Sequence, residues 1–99
     1  MILMYFLSTL RVLDNVVDDC RTLGMFQSYG DLYRDVMENR MDMFEDGYYN
    51  YAVISYINEG YYPEIVEQQW FSYYRKDFGC VYTINRPKEL KDYVLYIMG

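Results

Sequence analysis

The run YYNYAVISYI, residues 48–57, has no polar face. In extended backbone successive side chains point to opposite sides. Tyr49, Tyr51, Val53 and Ile57 then share one side, and Tyr48, Ala52, Ile54 and Tyr56 the other. An antiparallel sheet with one wet side shows polar residues at alternate positions. This strand does not, so it is covered on both sides or leaves an aromatic patch open. The run QWFSYY repeats the problem, with Phe71 and Tyr73 on one side and Trp70 and Tyr74 on the other. Tyrosine dominates this chemistry, with 14 residues against five phenylalanines and one tryptophan. A phenol buries its ring while its hydroxyl stays wet, which suits the rim of a core or a binding face.

The remaining pattern divides near Gly47. Before it, apolar residues follow helical steps. In STLRVLDNVVDDCRTLG, Leu10, Leu13, Val16, Val17, Cys20 and Leu23 form one stripe, with Ser8 or Thr9 to cap its start and Gly24 to end it. Residues 2–7 extend this helix or form a separate strand. A second helix is expected over SYGDLYRDVMENRMDMFEDG, capped by Ser28. After Gly47 come strands at YYNYAVISYI, EIVEQQWFSYY and CVYTIN. They are joined by NEGYYP and RKDFG, the latter turning at Gly79. A short helix is expected near 87–92, and VLYIMG is a candidate fourth strand. The expected fold is one α+β domain over residues 1–99. Two N-terminal helices (1–47) pack on a three- to four-stranded antiparallel meander (48–99).

Composition narrows the function. The chain is 53% hydrophobic and 24% charged, a globular balance. Its net charge of −6 is concentrated in residues 1–47, which hold nine acids and four bases. Phosphate-backbone binding needs clustered cations, so a neutral or basic partner is expected and nucleic acid is disfavoured. No histidine is present, which removes imidazole catalysis and His ligation. Cys20 and Cys80 form no CxxC pair; inert thiols and a disulfide both stay open. The apolar opening ends at Leu7, short of the ~20 residues that span a bilayer, and lacks a secretory n-region. The expectation is no membrane span and no signal.

No motif assigns a reaction. Asp18–Asp19 and Glu45–Asp46 are sequence neighbours, and neighbours on a helix do not face one another. MFEDG lacks the spaced oxygens of a calcium loop. No catalytic residue, cofactor or metal is expected. On the second helix Asp31, Asp35, Glu38, Asp42, Glu45 and Asp46 fall on one side. They extend over ~22 Å, one charge per ~4 Å against ~1.7 Å in duplex DNA, too sparse to mimic DNA closely. The expected function is non-enzymatic binding of a protein. Tyr48, Tyr49, Tyr51, Tyr56, Trp70 and Tyr74 would supply the aromatic face, and Asp35, Glu38 and Asp42 would steer a basic partner. A second copy of the chain is another candidate partner. The alternative is a nucleic-acid-associated protein that stacks bases beside Arg75, Lys76 and Arg86.

The tract YAVISYINEGYYPEIVEQQWFSY, followed by INRPKEL and a terminal glycine, resembles small orphan proteins of archaeal filamentous viruses, those of Acidianus among them. The likeness covers residues 51–99. It implies a thermostable viral protein of the host cytoplasm and carries over no site residues. The chain departs from a hyperthermophile pattern in lacking dense ion-pair composition.

Overall fold

The computed structural model describes residues 3–58, 64–77 and 79–93. Five antiparallel strands form one sheet: β1 (Leu3–Leu13), β2 (Val16–Phe26), β3 (Tyr51–Asn58), β4 (Glu64–Tyr74) and β5 (Cys80–Ile84), in the order β2-β1-β3-β4-β5. One α-helix, α1 (Tyr29–Met37), lies between β2 and β3 in the chain. Single 3-10 turns occupy Arg40–Asp42, Glu45–Gly47, Arg75–Asp77 and Lys88–Leu90. The protein is therefore mostly sheet, not two helices on a smaller meander. The candidate strand at VLYIMG and, beyond Asn58, the turn NEGYYP lie outside the described residues.

The expected first helix is a β-hairpin. Asp14 and Asn15 both have positive φ, 51° and 66°, as a two-residue type I′ turn requires; the right-handed twist of that turn matches the flanking strands. The helical spacing of apolar residues has a local cause. The β1–β2 register shifts twice, opposite Leu7/Ser8 and opposite Arg11/Val12. Leu23 and Asp18 are the extra residues on β2. Each bulge moves the strand's two-residue alternation by one, and the result imitates steps of three and four.

The expected second helix stops at Met37. Ser28 does cap it, its Oγ accepting from Asp31 N at 3.4 Å. Beyond it, Asn39, Met41, Asp42, Glu45 and Asp46 all have positive φ, which no continuing helix allows. Asn and Asp side chains hold this path by bonding the backbone. Asn39 Oδ1 accepts from Phe44 N at 3.2 Å, and Asp42 Oδ1 accepts from Asp46 N at 3.0 Å. The segment is anchored by Phe44, which is fully buried and stacks on Tyr73 with ring centroids 5.0 Å apart. The six acids therefore do not form one helical stripe.

Both faces of the sheet are covered, by different parts of the chain. On the first face Leu7, Ala52, Ile54, Phe71 and Val81 pack against Leu32 and Val36 of α1 and against Met43, Phe44 and Tyr49. On the second, Leu10, Val53 and Trp70 pack against Leu90, flanked by Tyr51, Ile84 and Tyr93. Arg86 fastens this second cover. It lies over the Trp70 ring at 5.5 Å, donates to Gln68 Oε1 at 3.3 Å and Leu90 O at 2.9 Å, and also bonds Tyr93 O. Small residues neighbour the indole: Ser72 lies two residues along β4, and Ser8 pairs with Val53, which pairs in turn with Trp70. All four of these positions are buried.

Asn15→Gly distinguishes hairpin from helix. In the type I′ turn glycine relieves the positive φ and is expected to stabilise by about 0.5 kcal/mol; in a helix it costs about 0.5 kcal/mol or more. Urea unfolding midpoints of the two proteins read the sign directly.

Candidate binding site: a tyrosine groove

Seven of the nine sequence-chosen residues take up structural positions. Tyr48 and Tyr49 precede β3 and hold the segment after α1 against the β1–β2 hairpin. Both hydroxyls donate to Asp19 Oδ2 at 3.2 Å. Arg11 lies over the Tyr48 ring at 4.2 Å and Arg21 over the Tyr49 ring at 4.4 Å. Each arginine also meets a carboxylate, Asp18 at 3.3 Å and Glu45 at 3.5 Å. Arg21 further donates to Met43 O at 2.8 Å and Thr9 Oγ1 at 3.1 Å. Next in the chain, Asn50 bonds both backbone groups of Val12 at 2.8 Å through its amide, so a side chain continues the ladder past the end of β3. Tyr51 and Trp70 belong to the second face, their rings edge to face at 6.3 Å. Asp35 and Glu38 flank Arg40 at 3.4 and 3.9 Å. Asp42 is turned to its own loop.

Two remain, Tyr74 and the partly exposed Tyr56. Tyr74 is half exposed and meets the exposed Tyr82 edge to face at 5.4 Å on the second face. Tyr56 lies on the first face, among residues the sequence reading did not select. The nine chosen residues thus do not share a surface.

A concave feature of the first face lies beside α1. Its floor is Ile54 and Tyr56 of β3 with Glu67 and Gln69 of β4, and its walls are Tyr5 of β1 and Tyr29 of α1. The cavity measures about 470 Å³. The rings form a continuous chain: Tyr56 to Tyr5 at 5.1 Å, Tyr5 to Tyr29 at 5.4 Å, Tyr29 to Tyr33 at 6.0 Å and Tyr33 to Phe71 at 5.6 Å. Beyond Tyr33 and Gln69 a shallower hollow of about 510 Å³ reaches Thr83, Ile84 and Asn85. From β3 to β5 is two strand spacings, ~10 Å, about three residues of extended chain. Strand order builds the site. Placing β1 between β2 and β3 brings Tyr5 opposite Tyr56, a pairing across 51 residues that no local pattern announces.

The titratable groups reflect these surroundings. Burial, then the charges of Tyr33, Glu67 and Tyr5, pushes the Tyr29 phenol above its ordinary range. Burial and the bonds to Asp19 raise Tyr48 and Tyr49, against the opposing arginines. Cys20 is raised by burial, which leaves it a poor nucleophile; it and the exposed Cys80 are both free thiols. Among the described residues no group of three carboxylates and thiols is placed to hold a metal ion, and no helix is long and apolar enough to cross a membrane.

No protein-family model matches the chain, nor does any curated protein or solved structure.

The Tyr48–Tyr49–Asp19 cluster gives a pH prediction. A phenol whose folded pKa is raised contributes stability that is full below about pH 10 and is lost as pH climbs through the folded value. Tyr49→Phe is expected to lower stability at pH 7 by about 1–2 kcal/mol through the lost bond to a carboxylate. It should also make the fall in stability above pH 10 shallower than in the parent. Urea titrations at neutral and alkaline pH measure both effects.

Proposed function

We propose that the protein is a non-enzymatic binding module that takes a segment of a partner protein into the tyrosine groove. The observation that carries this reading is the groove: among the described residues it is lined by three phenol rings and one carboxylate, with no lysine or arginine. Tyrosine at a surface hollow offers large rigid contact area at small entropic cost and is enriched at binding hot spots. The net charge of −6 favours a basic partner at long range. The partner proposed is a host or viral protein.

The nucleic-acid reading has one observation in its favour. The Tyr74–Tyr82 pair is open on the second face, and Arg75 and Lys76, both exposed, follow Tyr74 in the chain. Two of its proposed cations are engaged elsewhere: Arg75 pairs with Asp46 at 3.4 Å, and Arg86 holds the Trp70 cover.

Capture from host lysate, with and without nuclease, separates the readings. The expected result is a partner that survives nuclease, is lost with Tyr29→Ala and is kept with Arg75→Ala/Lys76→Ala. Tyr29 is partly exposed on the first turn of α1, so its truncation leaves the core in place. Capture that vanishes with nuclease, or that needs Arg75 and Lys76, would overturn the groove reading.

A further inference from the structure

This inference rests on the groove reading and names the chemistry of its occupant. The chain twice builds the same three-part contact inside itself. Arg11 lies on Tyr48 and meets Asp18; Arg21 lies on Tyr49 and meets Glu45. In each, a guanidinium has a phenol face on one side and a carboxylate at its edge. The guanidinium is flat, weakly hydrated and held by both kinds of partner at once.

The groove holds the same parts without the cation. Tyr5, Tyr29 and Tyr56 present ring surface, and Glu67 supplies the carboxylate on the same floor. The field of Glu67 reaches the Tyr29 phenol and helps hold its proton. Among the described residues no lysine or arginine pairs with Glu67. Glu67 instead lines an open hollow large enough for a side chain.

We propose that the groove formed by Tyr5, Tyr29, Tyr56 and Glu67 receives an arginine side chain of the partner protein, stacked on phenol rings and paired with the Glu67 carboxylate. Charge complementarity selects this occupant: among the described residues the groove is lined by a carboxylate and aromatic faces and by no cation, which disfavours acidic and phosphorylated segments. The neighbouring hollow at Tyr33, Gln69 and Asn85 gives the residues that follow the arginine a place to lie.

The test uses the whole chain and three blocked peptides, Ser-Arg-Ser, Ser-citrulline-Ser and Ser-Lys-Ser. Citrulline keeps the planar shape and removes the charge. Binding is read by NMR of the tyrosine rings, with the Trp70 indole proton as the internal reference for an intact fold. The arginine peptide is expected to give saturable shifts at Tyr5, Tyr29 and Tyr56 that weaken with added salt. Citrulline is expected to bind at least about fivefold more weakly, and Glu67→Gln to weaken the arginine peptide by about fivefold while leaving Trp70 unmoved. Equal binding of citrulline, equal binding of lysine, or no saturable shift at these rings would overturn the assignment. The two readings fail separately. If the arginine peptide does not bind but Tyr29→Ala still abolishes nuclease-resistant capture, the groove reading stands and only the occupant is wrong. If Tyr29→Ala leaves capture intact, the groove reading itself falls.

Discussion

Everything in this protein depends on covering β3 and β4 from both sides. Ala52, Ile54 and Phe71 face one way, and Val53 and Trp70 the other, and all five are buried. A central strand pair with two apolar faces loses the hydrophobic contribution of one whole layer unless two covers are built. The chain supplies them from its two remaining parts. The helix and the loop after it close the first face, and the residues around Leu90, fastened by Arg86, close the second. Among the described residues the first cover stops short of the sheet's end, and the tyrosine groove is the part of that face they leave open beside α1.

This division explains the abundance of tyrosine. Tyr48 and Tyr49 are fasteners, each an apolar ring under an arginine with a hydroxyl on Asp19. Tyr51 and Tyr73 seal core edges against Trp70 and Phe44. Tyr5, Tyr29 and Tyr56 line the hollow. A phenylalanine would serve the buried ring surface equally well, but not the wet or hydrogen-bonded end. The loop from Asn39 to Gly47 belongs to the same scheme. Its run of positive φ values is costly for non-glycine residues, and it is held by Asn39, Asp42, the buried Phe44 and the Arg21 bond to Met43 O.

The second half of the fold was legible where the chain is locally regular. The strands at residues 51–58, 64–74 and 80–84 show β-branched and aromatic runs between turn residues, and Gly79 has the positive φ that its turn needs. The Ser28 cap was legible because its partner lies three residues away. The hairpin of β1 and β2 was not. Two bulges broke its alternation, and Asp14–Asn15 passed for the middle of a helix although both residues tolerate positive φ. The end of α1 was missed because the residues after Met37 keep helical spacing in Val36, Met43 and Phe44 while the backbone turns away. Of the groove, only Tyr56 was within reach. Tyr5 and Glu67 join it through strand order, which depends on contacts far apart in the chain.

The central claim is that the open tyrosines of the first face, not those of the second, meet a partner. Site-resolved chemical modification of tyrosine, read by mass spectrometry with and without the captured partner, tests it most directly. The account predicts protection at Tyr29 and Tyr56 on binding, with Tyr74 and Tyr82 modified as in the free protein. Protection at Tyr74 and Tyr82 with Tyr29 unchanged would contradict it.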